Sequence, residues 1–263
     1  MEVLTPTSLA EALRLRAEHP GARPIQGGTD VMIELNFDRA RPDVILNLNE
    51  VAELRGWRRE NGTLVLGAAL TYTEAMSGEL AGALPALAEA ARTVGSPQIR
   101  NRGTIGGNLG TASPAGDAVP PLLVEHGEVE VASSSGTRLL PLSEFLLGVK
   151  RTALGPDELI VSVRLRPSGA RQTFMKVGPR NAMVISVCSL ALVADRERDE
   201  LRASFGSASP VPLLVSAPLS ERASFPERVA AAASPIDDVR GSAAYRRHAL
   251  RVLAARALER CLA

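Results

Sequence analysis

Residues 103–117 read Gly-Thr-Ile-Gly-Gly-Asn-Leu-Gly-Thr-Ala-Ser-Pro-Ala-Gly-Asp, a stretch of bare backbone and short hydroxyls that ends in a carboxylate. Gly103, Gly106, Gly107 and Gly110 let the chain turn sharply and come close to a ligand, while Thr104, Thr111 and Ser113 add short donors suited to phosphate oxygens. Asp117 stands where a carboxylate can accept from sugar hydroxyls. It also stands where it would cap a following helix, and the two roles are compatible. Far upstream, Gly27-Gly28-Thr29-Asp30 forms a second glycine turn after a short apolar run. Two such loops closing on one extended anion describe a dinucleotide site.

Other chemistries are excluded by spacing. Neither loop has the G-x-G-x-x-G order of a Rossmann turn, and no G-x-x-x-x-G-K-[ST] phosphate loop is present. No G-x-S-x-G elbow or Ser, His and acid arrangement supports a hydrolase. His19, His126 and His248 are scattered without metal-ligand spacing, so no metal site is expected. Cys188 and Cys261 are too few for a disulfide framework or an iron–sulfur cluster, and both read as small apolar residues. Any such cluster would belong to a partner. Thirty Lys and Arg against 29 Asp and Glu leave a formal charge of +1, with no basic run that would mark a nucleic-acid surface. No apolar run reaches the length of a membrane span and the first residues lack signal-peptide order, so a cytoplasmic protein is expected.

The two loops, in this order, resemble those of the FAD-binding subunit of the molybdenum hydroxylases, the family of xanthine dehydrogenase and the medium subunit of aerobic carbon monoxide dehydrogenase. The likeness continues through Phe174-Met175-Lys176 and Arg180 and ends in Asp237-Asp238-Val239-Arg240-Gly241-Ser242-Ala243-Ala244-Tyr245-Arg246-Arg247, so it spans nearly the whole chain. It implies non-covalent FAD, held by Gly27, Gly28, Thr29, Asp30 and Val31 from the first loop and by Thr104, Ile105, Gly107, Asn108, Thr111, Ser113 and Asp117 from the second. Ile160 and Lys176 complete the implied set, the lysine reaching the flavin and tuning its potential. Gln26 departs from the small residue usual before the glycines. Ala182 and Met183 stand where xanthine dehydrogenase relatives carry acidic residues, which leaves the electron acceptor open between NAD, oxygen, a quinone and others.

By the same resemblance, the chain relays electrons and has no catalytic acid or base of its own. A small subunit with [2Fe–2S] clusters and a large molybdopterin subunit would be its partners, in a dimer of heterotrimers that passes electrons to an external acceptor. A stand-alone FAD-dependent oxidase or dehydrogenase is the alternative. It would need a base or a covalent tether near the flavin, and neither loop holds a histidine. A third reading, an interaction module that has lost its flavin, would keep the fold without the donors of the loops. Aromatic residues make up only 3% of the chain, so the isoalloxazine would lie against aliphatic side chains and glycine backbone.

The elements that would position these loops are legible in part. Ser8-Leu9-Ala10-Glu11 is a capping-box pattern opening a short helix that stops before Pro20-Gly21. Arg23 to Gln26 and Val44 to Leu48 read as strands flanking the first loop. Asn61-Gly62 between two strand-like runs predicts a hairpin with a type I′ turn, and the Asn-Gly-Thr there reads as that turn in preference to a glycosylation site. Pro85 to Val94 and Ala118 to Glu125 read as helices on either side of the second loop, and Glu128 to Ala132 and Leu159 to Leu165 as strands. Beyond Arg166-Pro167-Ser168-Gly169, Thr173 to Val177, Val184 to Val193 and Leu201 to Phe205 predict an antiparallel sheet, closed by a helix from Gly241 to Leu262 with its arginines mostly opposite Tyr245, Ala249 and Leu253.

The fold class expected is α+β. It comprises a two-part FAD-binding domain of the PCMH/vanillyl-alcohol-oxidase type over residues 1–168, with parts 1–55 and 56–168. A small α+β C-terminal domain of the carbon monoxide dehydrogenase flavoprotein type, an antiparallel sheet with helices, follows over residues 169–263.

Overall fold

A computed structural model describes residues 1–181 and 183–263. Strand β1 (Glu2–Leu4), helix α1 (Leu9–Glu18), strand β2 (Arg23–Ile25), helix α2 (Val31–Asn36) and strand β3 (Val44–Asn47) make the first unit. β3 lies between β1 and β2 and runs parallel to both. β1 goes beyond the sequence reading, because three residues are too few to show an alternation. Ser8 caps α1 by accepting from the Glu11 amide at 3.2 Å. The reciprocal arm differs from a standard box, since the Glu11 carboxylate accepts from the Thr7 amide, one residue further back, at 2.8 Å.

Strands β4 (Trp57–Glu60) and β5 (Thr63–Gly67) form the predicted hairpin. Asn61 and Gly62 take φ of 49° and 81°, the left-handed pair that a type I′ turn needs. A run of short helices follows: α3 (Tyr72–Ala75), α4 (Gly78–Ala83), α5 (Pro85–Thr93), α6 (Pro97–Arg102), α7 (Ile105–Thr111) and α8 (Val119–Val124). Then come β6 (Glu128–Ser133), β7 (Gly136–Pro141), α9 (Leu142–Phe145), β8 (Leu146–Gly148), β9 (Arg151–Thr152) and β10 (Leu159–Leu165). The sheet order β4-β5-β10-β6-β7 brings the last strand back into the middle, antiparallel to β5 and β6. Leu64, Leu66, Val129, Val131 and Val163 of this sheet share one core with Ile105 and Leu109 of α7.

The C-terminal part holds β11 (Arg171–Val177), β12 (Cys188–Asp195), β13 (Glu200–Gly206) and β14 (Leu213–Pro218), then α10 (Phe225–Ala232) and α11 (Ala243–Leu262). The four strands are antiparallel in chain order. β12 is buried along its whole length, and its alternation sends two sets of side chains to two cores. Cys188, Leu190 and Leu192 pack with Leu250, Leu253 and Ala257 of α11, whereas Ala191 and Val193 pack with Ala86 and Ala90 of α5 and Val124 of α8. The sheet is thus sandwiched between its own helices and those of the preceding part.

Two expectations are corrected here. The strand predicted from Val184 begins only at Cys188, and in α11, whose Arg247, Arg251, Arg256 and Arg260 do face outward, Arg246 and Tyr245 exchange the faces expected of them. Arg246 is 1% exposed, while Tyr245, expected on the buried face, is exposed.

A candidate cofactor site

The residues of the two glycine segments meet around one cavity of about 560 Å³. The first segment remains a turn between β2 and α2, with Gly28 at φ 77°. The second does not form a loop throughout: Ile105 to Thr111 coil into α7. Thr104 makes that possible as the N-cap, its hydroxyl accepting from the Gly107 amide at 3.0 Å. Glycine at 106 allows the close approach. An added Cβ there would lie 2.6 Å from the Ala68 Cβ, and the Gly106 amide already donates to the Ala68 carbonyl at 2.8 Å. Gly107 has no left-handed φ, so the helix, rather than a strained turn, sets its conformation.

The faces of α7 explain the pattern. Ile105 and Leu109 are buried in the core, Gly107, Asn108, Gly110 and Thr111 line the cavity, and Gly106, buried against Ala68, reaches the cavity wall as well. The two segments also touch directly. Thr111 Oγ1 donates to Asp30 Oδ2 at 3.1 Å, and an added Cβ at Gly27 would run into the Arg102 carbonyl. Ala112 closes α7 in the left-handed region at φ 47°, which turns the chain into the Ser113 to Asp117 bend.

Of the residues anticipated from sequence, Gly27, Gly28, Thr29, Asp30, Val31, Thr104, Gly107, Asn108, Thr111, Ser113, Asp117 and Ile160 all line this cavity. Ile105 does not: it points into the core, fully buried. Lys176 does not line it either. It stands behind Asp117, its Nζ donating to Asp117 Oδ2 at 2.6 Å and to the Thr93 carbonyl at 3.3 Å, with 6% of its side chain exposed. A lysine in a strand interior is here the counter-ion of a buried carboxylate. Burial pushes the Asp117 carboxyl up, and the Lys176 ammonium pulls it back down. Met183 is exposed, and Ala182 lies outside the described residues.

Residues that the sequence reading did not assign to the site also line the cavity, among them Gln26, Tyr72, Gly116, Val184 and Ile185. Tyr72 opens α3 after a capping box, Thr71-Tyr72-Thr73-Glu74, a signal that was available in the sequence. Burial, with Asp117 and Asp30 nearby, pushes its phenol up. Among the described residues, Gln26 Oε1, Asn108 Oδ1 and Asp117 Oδ1 are buried without a hydrogen-bond partner. Buried acceptors without donors are costly. Three around one cavity fit a ligand that brings hydroxyl and N–H donors, as the ribityl chain and ring N–H groups of FAD do. Size and residue chemistry together fit a dinucleotide. Among the described residues no cluster of His, Cys, Asp and Glu has the makings of a metal site, and no helix is long and apolar enough to cross a membrane.

Fold and cavity together define a flavin-dinucleotide domain, and comparison with known proteins agrees. The family described as the FAD binding domain in molybdopterin dehydrogenase matches residues 1–167, and the chain belongs to it. It is 34% identical over 214 residues to the xanthine dehydrogenase FAD-binding subunit of Escherichia coli O157:H7, covering 78% of this chain and 73% of that one. It is 30% identical over 277 residues to the 6-hydroxypseudooxynicotine dehydrogenase complex subunit alpha of Paenarthrobacter nicotinovorans, covering 97% and 92%. A solved carbon monoxide dehydrogenase structure from Hydrogenophaga pseudoflava superposes with a TM-score of 0.92 at 26% identity, over 100% of this chain and 97% of that one. The chain is an oxidoreductase flavoprotein subunit of this family, and FAD is its cofactor.

Proposed function

We propose that this chain is the electron-transferring medium subunit of a molybdopterin-dependent hydroxylase, taking electrons from a partner's iron–sulfur clusters and passing them to an external acceptor. The cavity between the two glycine segments carries this reading, because its walls offer groups that suit a dinucleotide, while the carboxylates in them are already engaged, Asp30 by Thr111, Asp117 by Lys176 and Glu158 by Arg138. Gly27 to Val31 and the Thr104 to Asp117 segment would hold the dinucleotide, with Asn108, Asp117 and Gln26 accepting from it. Bound FAD supplies the junction between one-electron donors and a two-electron or one-electron acceptor. The task of the protein is to bind it, orient it and keep water from its buried side. The aliphatic Val31, Ile160, Val184 and Ile185 suit that last purpose. Lys176 would act on the cofactor through Asp117, by keeping that carboxylate charged and fixed.

The partners in this reading are a large molybdopterin subunit and a small [2Fe–2S] subunit, assembled as a dimer of heterotrimers in the cytoplasm. A division of the chain at 168/169, with 1–55 and 56–168 as parts of the FAD-binding domain, belongs to the same proposal. The resemblance to subunits of dehydrogenase complexes supports it, as do the two cysteines of the chain, which are buried and cannot build a cluster. Co-expression with the two partner subunits, followed by size exclusion and dye reduction, tests the relay. A stable three-subunit complex, and no oxidation of organic substrates by this chain alone, is the expected result. Turnover of a small substrate by the isolated chain would favour the stand-alone oxidase.

A further inference from the structure

The segment 237–247 has no place in the cavity wall, yet it contains the most completely bonded buried charge of the chain's C-terminal part. The Arg246 guanidinium is 1% exposed and reaches three connecting segments, before β12, after β13 and before α11. Its Nη1 donates to the carbonyls of Val187 at 2.6 Å and Ser207 at 2.5 Å, and its Nη2 donates to Asp238 Oδ1 at 2.6 Å. A buried cation is tolerated only where acceptors converge on it. The neighbouring residues build that convergence. Asp237 accepts from the Ala243 amide at 2.6 Å, Ser242 caps α11 through the Tyr245 amide at 3.1 Å, and Asp238 and Gly241 exchange backbone bonds at 3.1 and 3.3 Å. Gly241 packs so close to Val187 that an added Cβ would lie 3.1 Å from its Cγ1. Arg240, with help from Arg246, holds the Asp238 carboxyl down at about 2, so the pair stays charged at any ordinary pH.

The two carbonyls that Arg246 takes lead to the cofactor cavity by two routes. Val187 lies two residues after Ile185, which with Val184 lines the cavity, and its own amide donates to the Val177 carbonyl at 2.8 Å, next to Lys176. Ser207 donates its amide to the Pro114 carbonyl at 2.7 Å, inside the bend that carries Ser113, Gly116 and Asp117. The hydroxyls of Ser186 and Ser207 meet at 2.7 Å and join the two routes.

We propose that Arg246, held by Asp238, is a positioning residue for the FAD cavity: it ties the 184–187 segment to the 113–117 bend so that Val184 and Ile185 stay closed over the cofactor. This rests on the flavin reading given above. The tie acts through main-chain carbonyls, and no atom of Arg246 touches the ligand.

The test compares the wild-type holoprotein with Asp238→Asn, Arg246→Met and Arg246→Lys, and with Leu253→Ala as a variant that loosens the α11 core away from the tie. Two quantities are read: hydrogen exchange at the Val187 and Ser207 amides, in the presence and absence of FAD, and the rate of FAD release. Asp238→Asn, which keeps an acceptor but loses its charge, should speed both by roughly tenfold, and Arg246→Met, which removes every bond named above, by more than that, with Arg246→Lys recovering part of it. Leu253→Ala should lower the melting temperature without changing either. Should Arg246→Met fail to fold, Asp238→Asn decides. Unchanged exchange at the two amides in Asp238→Asn overturns the tie, and faster exchange with wild-type FAD release overturns its purpose. If the wild-type chain takes up no FAD, the flavin reading fails instead, and exchange in the apoprotein still reports on the tie by itself.

Discussion

At the scale of single residues, Asp117 and Lys176 carry the clearest electrostatics of the site. Each is almost fully buried, and each has the other as its ionic partner at 2.6 Å. Removing one side of such a pair costs about 3–5 kcal/mol, since the remaining charge must stay unpaired or be neutralised. In Lys176→Met the carboxyl loses the cation that opposes its upward shift, so its folded value rises further above the unfolded value of about 3.9. A carboxyl raised in the folded state stabilises most at low pH and loses that contribution as pH rises through its folded value. The deficit of Lys176→Met against wild type should therefore be largest at neutral pH and shrink toward mildly acidic pH, as read from urea midpoints across that range. A deficit independent of pH would show that Asp117 is not the group left exposed to the change. The pairing was not legible. Lys176 in an apolar strand was read as reaching the flavin, and nothing in the spacing of residues 59 positions apart showed that Asp117 would be its partner.

At the scale of elements, glycine content was visible in the sequence and its geometry was not. A run with glycines at 103, 106, 107 and 110 reads as a loop because glycine disfavours helix interiors by about 1 kcal/mol. Tertiary contact overrides that preference: α7 sets Ile105 and Leu109 into the core, and the small residues let its backbone reach Ala68 on one side and the cavity on the other. β14 went unseen because Pro210, Pro212 and Pro218 punctuate the Leu213 to Ala217 run, although as an edge strand it tolerates them. The Asn61-Gly62 hairpin, by contrast, is decided by local chemistry and needed no tertiary knowledge. The contact between the turn after β2 and the end of α6 gives a sharp element-scale test. In Gly27→Ala the new methyl meets the Arg102 carbonyl, which as backbone cannot rotate aside. The two segments must part, and FAD should bind about 1–3 kcal/mol more weakly by titration of the apoprotein, the cost of overpacking a tight site. Wild-type affinity would mean that the two segments do not jointly hold the cofactor.

At the scale of the whole molecule, the C-terminal sheet is part of how the site is built. α5 and α8 pack against β11, β12 and β13, and Lys176, Val184 and Ile185 come from beyond the Arg166 to Gly169 connection. A buried network fixes that junction. Glu125 accepts from the Ser168 amide at 3.1 Å and from Gln172 Nε2 at 2.7 Å, and Arg202 donates to the Val124 carbonyl at 2.6 Å. Burial pushes the Glu125 carboxyl up, and the Ser168 amide, Arg202 and Gln172 counter it. Such a network is invisible in sequence because its members come from four separate segments, and only the whole-chain resemblance hinted that the C-terminal part belonged with the cofactor.

The central claim is that the cavity between the two glycine segments holds FAD non-covalently. Its most direct measurement is the flavin released when purified protein is precipitated with acid, identified and quantified against chain concentration for wild type and Gly27→Ala. The account predicts one FAD per wild-type chain, all of it in the supernatant, and a marked deficit in the variant. FMN alone, flavin left in the pellet, or equal FAD in both proteins would contradict it.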